Sequence, residues 1–157
     1  MLNKLILFFT VFLFNCRIAT PFLISKDSAN DPEKNVIVSI TYAQIADNSD
    51  KNKSFWKNVG LIKENAKENS GLIGISISKK IFGNEAWTMS VWETEEDLEN
   101  FIISKRHSQA IDESEEALSN SKFARLKMKR KEIPLAWEKA VNILAEQKER
   151  FHTYYDN

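Results

Sequence analysis

Two histidines, one cysteine and a set of large aromatic side chains limit the chemistry open to these 157 residues. His107 stands in Lys-Arg-His-Ser, and an imidazole with its ordinary pKa of roughly 6.5 is a proton acceptor near neutrality. Arg125 carries a permanent charge, and Trp87, Met89 and Trp92 offer flat apolar walls. Each has a plainer use. A histidine on the polar flank of a helix commonly faces water. Arg125 beside Lys127 and Lys129 can serve only to charge a sheet edge and keep it from pairing. His107 and His152 fall in different elements and do not make a metal site by spacing. There is no cysteine pair, Gly-rich phosphate loop or nucleophile elbow, so zinc, disulfide-redox, nucleotide and hydrolase chemistries have no motif. No metal and no cofactor is expected.

Cys16 raises a different chemistry. Lys4 precedes Leu5 to Phe14, an apolar run broken only by Thr10, which has the form of an export signal and is too short to span a bilayer. The run ends Leu13-Phe14-Asn15-Cys16, which resembles a bacterial lipobox in its Leu and Cys and departs from it at Phe14 and Asn15. Residues 1–15 are therefore expected to be an export signal, Cys16 a lipidation site, and the protein a lipid-anchored or periplasmic part of the cell envelope. A simply cleaved signal or an uncleaved anchor is the alternative. Residues 16–33, with Thr-Pro and Asn-Asp-Pro, read as a tether. One cysteine permits no disulfide within the chain.

The elements that must position His107, Trp92 and Arg125 follow from periodicity. Glu85 to Trp92 alternates Trp87, Met89 and Val91 with Ala86, Thr88, Ser90 and Trp92, which predicts a strand whose two tryptophans point to opposite faces. At Thr94 the period changes. Thr94 with Asp97 can cap a helix carrying Leu98, Phe101 and Ile102 and reaching about Leu118, with Ser104 able to recap or kink it. Val36 to Ala43 predicts a first strand, Ser54 caps a helix through Phe55, Val59, Ile62 and Ala66, Gly71 offers a left-handed helix end, and Leu72 to Lys80 predicts a second strand. Phe123 to Arg130 predicts a basic edge strand, and Ile133-Pro134 starts a last helix through Trp137, Val141 and Leu144.

This order predicts an α+β, ferredoxin-like (split βαβ) antiparallel sheet with helices on one face and an extra C-terminal helix. One domain over residues 34–150 and a tail over 151–157 suit the length. Lys+Arg 22 against Asp+Glu 22 leaves no nucleic-acid footprint. Ser39, Thr41, Ser76, Ser78, Thr88 and Ser90 predict one small, polar sheet face, and a second copy packed on it would make a homodimer.

Asn84 to Phe101, with Gly71-Leu72-Ile73-Gly74 before it and Ser104 to His107 after it, resembles the antibiotic biosynthesis monooxygenase-like (ABM) domains of the dimeric α/β-barrel superfamily. The resemblance spans about residues 34–131. It implies a cofactor-independent monooxygenase acting on a small aromatic or polyketide-like substrate, with Trp92 at the strand end, His107 as base and Arg125 holding an enolate or phenolate. The other reading is a non-catalytic ligand-binding or structural envelope lipoprotein on the same fold. Haem-degrading members carry a strand Asn, a helix Trp and a later His. Here those places hold Ser39 or Thr41, Phe101 and Ile111, so no haem is expected.

Overall fold

The computed structural model describes residues 16–24, 31–47 and 49–147. The expected export signal and tail lie outside the described residues. The elements are β1 (Arg17–Ala19), β2 (Leu23–Ile24), β3 (Asn35–Ile45), α1 (Ser49–Lys67), β4 (Leu72–Lys80), β5 (Glu85–Trp92), α2 (Glu95–Ile102), α3 (Lys105–Glu115), β6 (Leu118–Lys129), a 3-10 turn (Arg130–Glu132) and α4 (Trp137–Ala145).

The four long strands lie in the order β4-β5-β3-β6, all antiparallel, which is the split βαβ plan. β6 is the outer strand on one side, as its basic face predicts. The other outer edge, β4, is covered by the stretch expected to be a tether. Arg17–Ala19 pairs with Lys80–Ser78, and Leu23 and Ile24 pair with Ile75 and Gly74. Thr20 joins the two pieces: its backbone N–H donates to Ile77 O at 2.8 Å, its Oγ1 accepts from Ile77 N at 3.0 Å, and its carbonyl accepts from Ser76 Oγ at 2.7 Å. An exposed strand edge is thus paired within the chain.

Each sheet face has its own cover. Ile37, Leu72, Ile75 and Trp92 pack under the helices with Ala66, Leu98 and Phe101. Val36, Val38, Ile40, Ile73, Trp87, Met89, Val91 and Ala124 form the opposite face and are closed by Leu135, Ala140 and Leu144 of the C-terminal segment. The two tryptophans do point to opposite faces.

The pairing register corrects the small polar face. Ser39, Thr41, Thr88 and Ser90 lie on the helix side, opposite one another across β3 and β5. Ile75 and Ile77, not Ser76 and Ser78, pair with Ser90 and Thr88, so Ser76 and Ser78 belong to the α4 face beside Met89 and Trp87. The polar face is covered by the chain's own helices and is not a surface on which a second copy can pack.

Local signals explain most element ends. Thr94 caps α2 by accepting from Asp97 N at 3.1 Å, and Ser104 recaps α3 by accepting from His107 N at 3.3 Å, so the long second helix becomes two. α1 begins at Ser49, ahead of the cap expected at Ser54. Asp50 in its first turn suits the positive end of the helix dipole, and Lys51 Nζ donates to Glu116 O at 3.2 Å. β6 starts at Leu118 rather than near Phe123, and α4 at Trp137 rather than at Pro134. Gly71 is needed for close approach, not handedness: a Cβ there would fall 2.1 Å from Asp97 Cγ. Gly83, with φ of 139°, makes the β4–β5 turn.

Glu93 fastens the end of β5 to the start of β3 and to the end of β6. Its carboxylate accepts from Lys34 Nζ at 2.8 Å and from the largely buried Arg130 guanidinium. Partial burial pushes the Glu93 pKa up, but the hydrogen bonds from Arg130 and Lys34 outweigh it and hold the carboxyl below its ordinary range. Replacing Glu93 by Ala is expected to cost about 1.5–3 kcal/mol, the usual net for hydrogen bonds to charged groups, read as a lower urea midpoint at unchanged slope. Because the folded pKa is depressed, this contribution is present above the unfolded carboxyl pKa. It fades as pH falls through the folded value.

Candidate active site

The small residues of the helix-side face leave space that the helices do not fill. A cavity of about 380 Å³ lies there, floored by Ser39, Thr41, Thr88 and Ser90 and walled by Phe55, Val59 and Ile62 of α1, Phe101 and Ile102 of α2, and Ile111 of α3. Apolar walls over a polar floor in such a volume suit a small organic ligand, for which pockets run from about 300 Å³ upward. The helical spacing of Phe55, Val59 and Ile62 gives α1 its apolar stripe. That stripe faces the cavity instead of a closed core.

His107 lines this cavity from the first turn of α3. Its Nδ1 lies 3.1 Å from Ile102 O, which accepts only from a protonated nitrogen, so the neutral ring carries its lone pair on Nε2. The ring meets Phe101 edge-on with centroids 4.6 Å apart. Burial pushes the His107 pKa below its ordinary value, and the Ile102 carbonyl opposes that in part. A neutral imidazole with an unprotonated nitrogen is what proton abstraction requires.

Trp92 stands behind the wall. It is fully buried, stacks on Phe101 at 4.9 Å between centroids, and donates Nε1–H to Ser90 Oγ at 2.9 Å. It therefore positions Phe101, and through it the His107 ring, as well as the Ser90 hydroxyl that floors the cavity. Arg125 is on the same sheet face, opposite Ser39, but its guanidinium is taken by α2. It donates to Glu99 Oε1 at 2.5 Å and lies 3.9 Å from Glu95 Oε2. It holds helix to strand outside the cavity lining, so the three expected residues do not converge.

Asn120 is the polar group that periodicity does not reveal. It lines the cavity, and its Oδ1 is buried without a partner among the described residues. Its position becomes readable only once β6 is known to begin at Leu118, in register with β3. Lys63, Asp112, Glu115 and Lys122 also line the cavity and give it charges of both signs. Among the described residues no three His, Cys, Asp or Glu side chains gather as a metal would need.

No family model and no curated protein matches the sequence. Solved structures match by shape. A candidate monooxygenase from Fusobacterium nucleatum superposes with a TM-score of 0.58 at 17% identity, covering 68% of this chain and 48% of its own. A candidate antibiotic biosynthesis monooxygenase from Nitrosomonas europaea gives 0.52 at 15%, covering 57% of this chain and 95% of its own. SnoaB, a cofactor-independent oxygenase from Streptomyces nogalater, gives 0.50 at 8%, covering 61% of this chain and 94% of its own. The chain spans about half the length of the Fusobacterium protein and of a similar candidate monooxygenase from Lactobacillus acidophilus, 48% of each. Identities this low speak for fold, and fold alone does not assign a reaction. The chain carries an α+β domain with the antibiotic biosynthesis monooxygenase-like fold.

Proposed function

We propose that the domain takes a small aromatic or polyketide-like molecule under α1, α2 and α3 and oxygenates it without a cofactor, with His107 as proton acceptor. The observation that carries this reading is the apolar cavity of about 380 Å³ with a neutral imidazole on its wall. An acidic C–H next to phenol and carbonyl groups gives its proton to Nε2. The carbon, which carries a second hydrogen, bonds to molecular oxygen as a hydroperoxide that takes the proton back from His107; loss of the second C–H proton then breaks the O–O bond, leaving the carbonyl and one water. Apolar walls such as Phe55, Val59 and Ile62 favour this step by limiting solvation of the delocalised anion. The residues that line the cavity all come from one chain, so the reading needs no homodimer. Export through residues 1–15, lipid attachment at Cys16 and residence at a membrane in the cell envelope belong to the same proposal.

One observation favours the non-catalytic reading: Arg125, expected to hold the substrate anion, is engaged by Glu99 and Glu95. A binding module would keep the walls and lack turnover. Oxygen uptake over a panel of polyphenols and anthrone-like compounds separates the two. The oxygenase reading expects uptake that falls in Trp92→Phe, because the Nε1–H that holds the Ser90 hydroxyl is lost and the smaller ring supports Phe101 less. No uptake with any compound, together with saturable binding of one of them, would leave the binding module.

A further inference from the structure

We propose that the β4–β5 hairpin tip, Ile81 and Phe82, docks into a lipid bilayer beside Cys16. The inference rests on the reading that this protein is membrane-anchored through its N-terminal segment, and adds how the domain is held there.

The apolar run of residues 5–14 leads straight to the edge of the sheet. Cys16 follows it after Asn15 alone, and Cys16 O accepts from Ile81 N at 2.9 Å. Arg17, Ile18 and Ala19 then pair with Lys80, Lys79 and Ser78. No slack separates Cys16 from the sheet, so an anchor at that residue, whether a lipid or the preceding apolar segment, brings the hairpin to the membrane surface with it.

What the hairpin presents there suits lipid. Ile18, Ile81 and Phe82 are 50%, 49% and 56% exposed, three large apolar side chains at one end of the sheet. Water is a poor neighbour for such a group, and acyl chains at the headgroup boundary are a good one. Arg17, Lys79 and Lys80 flank them and suit anionic headgroups, with Glu85 as the acidic side chain that Lys80 engages. The cavity extends to the same end, where Ala86, Ile77 and Trp56 line it. An apolar ligand dissolved in the bilayer would then have a short route in.

The test uses the full chain in vesicles of phosphatidylethanolamine and phosphatidylglycerol. The photo-crosslinking analogue benzoylphenylalanine is placed at Phe82 and, separately, at Glu96, which is exposed on α2 at the far end of the sheet. Both sites are on the surface, so neither change should disturb folding. Sedimentation with the vesicles and a phospholipid adduct at least tenfold more abundant at 82 than at 96 is the expected result. Sedimentation with no adduct at 82 would overturn the docking and leave the anchor. Failure to sediment would overturn the anchor reading and the docking with it. A protein–protein adduct at 82 in place of the lipid adduct would assign the patch to a second copy and likewise overturn the proposal.

Discussion

Ending the chain after Glu132 is expected to make the domain aggregate or pair with itself through the sheet face that α4 covers. The segment removed supplies Leu135, Ala140 and Leu144, each 6% exposed or less, with Ile133, Trp137, Val141 and Ile143 packed around them. Burying a large aliphatic or aromatic side chain is worth about 1.5–3 kcal/mol, so the whole contact is comparable to a domain's net stability of about 5–15 kcal/mol. Its loss would also bare Val36, Val38, Ile40, Trp87, Met89 and Val91, a contiguous apolar sheet face of the kind that drives association. Light scattering should give one chain's mass for the intact protein and two or more for the truncated one, which should also melt earlier. Leu144→Ala is the milder form and should cost about 2–5 kcal/mol. A truncated protein that stays monomeric with unchanged melting would remove α4 from the core. An intact protein with the mass of two chains would restore a homodimer, through a surface other than the small polar face.

The same helix shows where sequence patterns stop being informative. Trp137, Val141 and Leu144 declare an amphipathic helix but not the face it covers, because an apolar stripe says only that something must lie against it. The strand order was readable, since period-two alternation and the Thr94 cap are local signals set by neighbouring residues. Cross-strand register is not local. Ser76 and Ser78 alternate like Thr88 and Ser90, and only the pairing of Ile75 with Ser90 puts them on different faces. That one-residue offset takes Ser76 and Ser78 off the cavity floor and puts them on the α4 face. Residues 17–24 look like part of a tether because Thr-Pro and the polar residues that follow, through Asn-Asp-Pro, are loop signals, yet β4's unpaired edge gives them partners that no window of sequence contains. At the site, His107 stood out by its rarity and lines the cavity. Arg125 stood out by its charge, but Glu99, four residues after Glu95 on α2, competes for the guanidinium, and that pairing spans two elements.

His107→Ala should lower oxygen uptake about 10²–10⁴-fold with any compound the wild type accepts, the usual range for removing a general base. The loss should appear in kcat more than in KM, since the walls that bind an apolar ring are Phe55, Val59 and Ile62 on another helix. His107→Gln is the better-matched variant. Its amide can still donate to Ile102 O, so a similar loss would isolate the missing basic nitrogen from any packing defect. The pH dependence carries a sign. Burial holds the folded pKa below the ordinary histidine value, so the imidazole stays unprotonated to lower pH than a free one, and the acidic limb of the rate profile should fall below about pH 6.5. Stability follows the same linkage: between the unfolded and the folded pKa the unfolded chain binds the extra proton, so stability declines as pH drops through that window. Both effects should vanish together in His107→Gln. Uptake within twofold of wild type in both variants, with the acidic limb unmoved, would show that the proton goes elsewhere. The cavity would then be a binding site whose imidazole merely ties the start of α3 to the end of α2.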